Sequence, residues 1–233
     1  MEHTPKIDYR SRLPHLTPVG ATFFVTFRLA DALPRHIVNQ LKFQMDKTIE
    51  ELRKEKPKNY RQLIQDERKR FLGKYDYQLD NKPYGSCILQ QPEIAAIVKE
   101  QLHRFDDELY KLICYCIMPN HVHILIDTSI QVTEYKMIKG ELLPFWMDEL
   151  PESFQELYKI MKRIKGASAY YCNKALNKTG TFWQKDSFDH FVRDEKEWHN
   201  IVQYILNNPV KAGLVKDWKN WKNTHVPSNL FDR

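Results

Sequence analysis

Cysteine is scarce in this chain: Cys87, Cys114, Cys116 and Cys172 are the only four among 233 residues. Their spacing forms no secreted disulfide framework, and Cys114 and Cys116 fall in an apolar run where a reduced thiol behaves as a small hydrophobe; a reducing compartment follows. No stretch has the uninterrupted apolar length of a membrane span, and the opening MEHTPKIDYRSRL is polar, without the apolar centre of a signal peptide. Internal repeats and low-complexity tracts are also missing. These absences argue against a disulfide-stapled secreted module, a membrane-spanning protein and a repeat array. The expectation is a soluble cytoplasmic protein with no membrane partner.

What is present is an ordinary globular composition, 42% hydrophobic and 28% charged, enough to bury a core and to argue against wholesale disorder. The expected organisation is one domain over residues 1–233, with a charged helical insertion near residues 45–75 and an irregular insertion near 130–150. The balance of 36 Lys and Arg against 30 Asp and Glu gives +6. That charge is compatible with a polyanionic partner without being evidence for one.

Periodicity supplies the elements. GATFFVTFRLA, residues 20–30, is rich in aromatic and β-branched residues and reads as a strand. From His36 to about Leu72 apolar residues recur at three- and four-residue steps between dense charges, and Pro57 divides the region into two helices. QPEIAAIVKEQLHRF begins a further helix with Pro92 and Glu93 in its first turn. Two strands follow, Tyr110 to Met118 and His121 to Asp127, joined at Pro119-Asn120 as a hairpin. Beyond the irregular Gln131 to Pro151 segment come a long helix with Phe154, Leu157, Ile160, Met161 and Ile164 on one side, a strand in GTFWQKDSFDHFVRD, and a last helix. Asp194 is expected to cap that last helix and Pro209 to limit it. The first six elements, insertions removed, run βαββαβ. This is the ferredoxin-like order, an α+β fold with an antiparallel sheet, helices on one face, and an added C-terminal helix.

Chemistry concentrates in two places. In the strand after Pro119-Asn120, His121 and His123 are two residues apart and so project from the same face, where two imidazoles can share a divalent ion. A pair of satisfied core or surface histidines explains the same spacing. A Cys2His2 zinc site with Cys114 and Cys116 has the wrong loop length, and packing accounts for those cysteines. On the last helix Tyr204 and Asn208, four apart, share a face. A core aromatic and a helix stop are the plain explanations, but neither accounts for the combination with a His-x-His strand.

MPNHVHIL, GTFWQKDSFDHFVRD and YILNNPVKAGLV, in that order, resemble the one-tyrosine HUH transposases, specifically the REP-associated tyrosine transposases, and YRSRLPHLTPVGATFFVTFRLADALP is similar to that family's lead-in and first strand. The resemblance thins over residues 45–105 and is absent over 131–151. It implies a ferredoxin-like fold in which His121, His123 and Asn208 hold Mg2+ or Mn2+, although related transposases often carry Gln at the third position. Tyr204 is then the nucleophile, forming a 5′-phosphotyrosine intermediate on single-stranded DNA expected to be hairpin-forming. Arg10, Arg12, Arg28, Lys162, Arg163, Lys165 and Lys211, with Trp183 and Phe182 nearby, are the expected DNA contacts through phosphates and stacking. For each of them a solvated face or a core position is the bland alternative. His190 is not assigned to catalysis. The resulting expectation is a metal-dependent single-stranded-DNA endonuclease and strand transferase, working as monomer or homodimer. The rival is a DNA-hairpin or RNA-binding protein on the same scaffold that does not cut.

Overall fold

The computed structural model describes residues 6–10, 14–81, 84–132, 135–138, 141–144, 152–228 and 230. Its strands are β1 (Lys6–Arg10), β2 (Pro14–Pro18), β3 (Thr22–Arg28), β4 (Lys111–Ile117), β5 (His121–Asp127), β6 (Tyr135–Ile138), β7 (Glu141–Pro144), β8 (Phe188–Phe191) and β9 (Thr224–His225). Its α-helices are α1 (Arg35–Glu55), α2 (Tyr60–Asn81), α3 (Pro92–His103), α4 (Leu157–Ala175) and α5 (Glu195–Lys211).

The central sheet is mixed into an α+β architecture. Five antiparallel strands lie in the order β8-β3-β5-β4-β9, with helices packed against them. Alternation along each strand sends side chains to two separate cores. Val122, Ile124 and Ile126 of β5 join Phe23, Val25 and Phe27 of β3 in the larger core, beneath α3 and α4. Leu125 of β5 and Phe24 of β3 point the other way and pack with Val202, Ile205 and Leu206 of α5. A register shift in β4 between Leu112 and Cys114 turns Cys114 and Cys116 into this second core. Burial there pushes the Cys116 thiol up to about 12, the value of an inert packing residue rather than a thiolate ligand.

The helix boundaries follow local chemistry. Lys56 takes a left-handed backbone and Pro57 follows, so α1 stops and α2 restarts antiparallel to it. The two helices share their own apolar seam of Met45, Ile49, Ile64 and Phe71. At the far end Gly85 (φ +81°) lies against the Asp31 carbonyl, where any Cβ would come within 2.5 Å of the oxygen, and the Ser86 N–H donates to Asp31 Oδ2. This glycine turn ties the segment after α2 back to the end of β3. α5 begins at Asp194, whose side chain accepts the Glu197 N–H at 2.7 Å. Pro209 sits inside α5, and the helix ends two residues later.

The segment expected to be irregular, Gln131 to Pro151, contains a short antiparallel pair, β6 with β7; local pairing of two four-residue strands overrides their mixed composition. Residues 133–134, 139–140 and 145–151 of that expectation lie outside the described residues. Among the described residues no helix is long and apolar enough to cross a membrane.

Candidate active site

The register of β3 against β5 sets Thr26 opposite His123 and Arg28 opposite His121, and α5 lies across the same face. His121 and His123 are both buried to 1% exposure or less, and burial is the principal reason their imidazoles are held neutral, His121 being brought down to about 3. Each ring is oriented from its Nδ1 side. Asn120 donates to the Tyr84 carbonyl, which turns its Oδ1 to His121 Nδ1 at 2.7 Å, and Thr26 Oγ1 meets His123 Nδ1 at 2.8 Å. An amide oxygen can only accept, so His121 carries its proton on Nδ1 and presents a bare lone pair at Nε2. That Nε2 stands 2.9 Å from His123 Nε2.

Tyr204 and Asn208 reach the pair from α5. The Tyr204 ring lies edge-on to His123, centroids 5.5 Å apart, and to Phe24 at 5.8 Å. Asn208 is fully buried, with Nδ2 3.1 Å from His123 Nε2 and Oδ1 without a hydrogen-bond partner. Lys211 Nζ stands over the Tyr204 ring at 4.8 Å.

Two carboxylates that the sequence reading did not single out also face this site, both from α2. Asp76 Oδ2 accepts the Tyr204 hydroxyl in a short hydrogen bond, and Asp80 Oδ1 is 3.6 Å from His121 Nε2, beyond hydrogen-bond length. Burial pushes Asp76 up to about 8 and Asp80 up to about 7. Burial, then the adjacent Asp76 carboxyl, raises the Tyr204 phenol well above its ordinary 10. Asp76 Oδ1 and Asp80 Oδ1, like Asn208 Oδ1, are buried atoms without a hydrogen-bond partner. The sequence signal was faint. Phe71, Tyr75 and Leu79 form a partly buried stripe on α2, and Asp76 and Asp80 each follow a stripe residue by one position.

The arrangement passes a simple fit test for a divalent ion. Adjacent ligands of an octahedral ion at ~2.1 Å are ~3.0 Å apart, and the two Nε2 atoms are 2.9 Å apart. Turning the Asn208 amide over would bring its orphaned oxygen to the same place as Nδ2. Among the described residues no group of three or more His, Cys, Asp or Glu is already gathered in coordination geometry. The donors that fit are the imidazole pair together with lone oxygens around it.

The expected DNA contacts divide between the two faces of the sheet. Arg28 is on the site face beside His121, 4% exposed, with its guanidinium over the Tyr75 ring and Nε unpartnered. Burial brings it down to about 10. Lys162 and Arg163 are exposed on α4, which packs on the opposite face. Lys165 donates from Nζ to the Gln184 and Lys185 carbonyls and to Ser187 Oγ, a structural tie. Trp183 is 5% exposed, donates to Ser168 Oγ and packs edge-on against Phe27 and Phe182, so its ring faces are taken up in the core. Arg10 lies in β1, and Arg12 is outside the described residues. His190 pairs with Glu197 at 3.1 Å.

An antiparallel α+β sheet bearing a buried imidazole pair under a helix-borne tyrosine is the class of protein defined here. The relatives it matches are distant. The chain is 33% identical over 101 residues (41% of it, 52% of the relative) to an uncharacterised protein of Haemophilus influenzae. It is 26% identical over 112 residues (48% of it, 56% of the relative) to a provisional REP-associated tyrosine transposase of the same organism. A REP-associated tyrosine transposase of Escherichia coli K12 is 25% identical over 107 residues (46% and 58%). The chain thus spans about half the length of the curated relatives it matches. A solved structure of a REP-associated tyrosine transposase bound to a REP hairpin aligns over 92% of this chain and 82% of that one, with a TM-score of 0.44 and 19% identity. No family model matches the chain. The relationship to REP-associated tyrosine transposases is therefore one of low identity over part of the length.

Proposed function

We propose that this chain is a metal-dependent, one-tyrosine nuclease and strand transferase that nicks single-stranded, hairpin-forming DNA. The observation that carries the reading is the 2.9 Å approach of two buried, neutral imidazole nitrogens beside Tyr204. Neutral imidazoles with converging lone pairs repel each other unless a proton or a cation lies between them. The strand order β8-β3-β5-β4 supports a ferredoxin-like core, since it places the sheet's first, third and second strands side by side with the fourth at the edge. The low-identity relatives support the same family of chemistry.

His121, His123 and the Asn208 amide would hold Mg2+ or Mn2+, and the ion would withdraw charge from a phosphate oxygen as the transition state forms. The chain's own residues do the rest. Asn120 and Thr26 fix the two imidazoles through Nδ1. Asp76 Oδ2 holds the Tyr204 hydroxyl and, once ionised toward pH 8 and above, is in place to take its proton. The Tyr204 oxygen attacks phosphorus, the bond to the 3′-oxygen breaks, and that oxygen leaves as a 3′-hydroxyl once protonated by water. A phenol is a good enough leaving group for the 3′-hydroxyl to reverse the attack, which suits joining as well as cutting. Arg28 and Lys211, on the same face, are the cations best placed for the scissile phosphate. Tyr204 reaches the imidazole pair of its own chain, which favours a subunit able to work alone over one completed by a partner's tyrosine.

The test is incubation with labelled hairpin DNA in Mn2+ or EDTA, followed by mass spectrometry of any adduct. A Mn2+-dependent 5′-linked adduct on the Tyr204 peptide is expected. Tyr204→Phe should abolish it while DNA affinity stays within about twofold. His121→Ala should abolish both the adduct and metal binding. Tight binding without an adduct across many oligonucleotides would transfer the assignment to a non-cutting DNA-hairpin or RNA-binding protein.

A further inference from the structure

The imidazole pair and the Asn208 amide carry no formal charge, so by themselves they leave the charge of a dication uncompensated. Mg2+ is ordinarily held through one or two carboxylates with water and phosphate completing the shell. A carboxylate of the required kind is at hand. Asp80 has a side chain 10% exposed, and its Oδ1 is buried without a hydrogen-bond partner, 3.6 Å from His121 Nε2. No helical neighbour satisfies that oxygen, and an orphaned buried carboxylate oxygen is costly enough that proteins seldom keep one without use. The space around it is also suited to an ion. A cavity of about 270 Å3 adjoins the site, lined by Asp80, His121, Asn120, Gln90, Leu79 and Met118 among others. It leaves room on the His121 side for water or a phosphate oxygen.

We propose that Asp80, delivered by α2, moves in from its place 3.6 Å from His121 Nε2 to become a further ligand of the divalent ion held by His121 and His123, the three not being gathered in coordination geometry without the ion, so that the α1–α2 hairpin is a working part of the metal centre. This rests on the reading of the two histidines as ligands. It extends that reading to an element outside the sheet and α5. The position of α2 is fixed for the purpose: Asp76, one turn before Asp80, holds Tyr204, and Lys69 reaches Glu197 of α5 at 2.7 Å. Residues 69, 76 and 80 lie at seven- and four-residue steps along one helix face. A shift of α2 by one turn would withdraw all three contacts together.

Mn2+ binding to the full chain, followed by calorimetry and by electron paramagnetic resonance of free Mn2+, tests the proposal without DNA or turnover. Asp80→Asn, nearly the same shape, should weaken Mn2+ binding at least tenfold and shrink the Mn2+-induced rise in Tm. Its metal-free Tm should be equal to or above that of the unaltered chain, because a buried orphan charge has been removed; this shows that the variant folds. Asp80→Glu should recover part of the affinity. Undiminished Mn2+ affinity in Asp80→Asn, while His121→Ala loses binding, would overturn the role of Asp80 and leave the histidine reading standing. Absence of Mn2+ binding in the unaltered chain would overturn both.

Discussion

At the scale of single residues, the pair Asp76 and Tyr204 shows how burial changes what a side chain can do. Asp76 is moved by burial from its ordinary 3.8 to about 8, against the lowering effect of the Tyr204 hydrogen bond. A folded chain that keeps this proton over the range where the unfolded chain has lost it is most favoured below pH 4, and that contribution is lost as pH rises toward 8. The metal-free protein in EDTA should therefore lose stability between about pH 4 and pH 8, and Asp76→Asn should flatten that slope and raise the urea midpoint most at pH 8. An identical slope in the variant would show that Asp76 is not the group responsible. The residues legible from sequence were those whose chemistry is set by local spacing: His121 and His123 by strand alternation, Tyr204 and Asn208 by helical spacing. Asp76 and Asp80 were not, because a carboxylate in a helix crowded with Glu67, Arg68, Lys69, Arg70 and Lys74 reads as a solvated one. Only the docking of α2 onto α5 and β5 distinguishes them. Lys165 is the converse case, a basic side chain whose charge is spent on two carbonyls and a hydroxyl inside the fold.

At the scale of elements, the helix breaks at Pro57 and the cap at Asp194 were readable because proline and capping residues act within a turn of themselves. The partner of each helix was not, since the same charged periodicity suits a free arm and a docked one. Asp194→Ala should destabilise the protein by about 1 kcal/mol in urea unfolding, with the loss centred on α5. Glu197 provides a second reading of the α2–α5 contact. Burial pushes its carboxyl up, but Lys69, the Arg193 N–H and His190 outweigh this and bring it from 4.5 down to about 2. Its contribution is thus complete above pH 4.5 and disappears as pH falls through 2. Glu197→Gln should remove that part of the acid transition and loosen α2, seen as faster amide exchange along residues 69–80 without an equal change in α4.

At the scale of the whole molecule, the sheet divides two populations of positive charge. Arg28 and Lys211 share the face of the imidazole pair, whereas Lys162 and Arg163 lie on α4 across the sheet. A short single strand at the site cannot touch both, so their effects on DNA should separate. Reversing Lys162 and Arg163 to Glu should weaken binding of a long hairpin and lower its salt slope by about two, while nicking of a short unstructured oligonucleotide stays within about twofold. Equal losses on both substrates would place the DNA path differently from the one proposed.

The site is also assembled from widely separated parts of the polypeptide: the Asp76–Tyr204 contact joins residues 128 apart, and His123 to Asn208 joins residues 85 apart. Synthesis at roughly 5–20 residues per second leaves an interval on the order of ten seconds between emergence of the carboxylate and of the tyrosine. Once residue 123 has emerged, a ribosome-bound chain in that interval has both imidazoles but neither Tyr204 nor Asn208 to set beside them. The candidate site is therefore completed only after α5 has emerged, and a chain cut short before it keeps the sheet's half of the site without the helix's half.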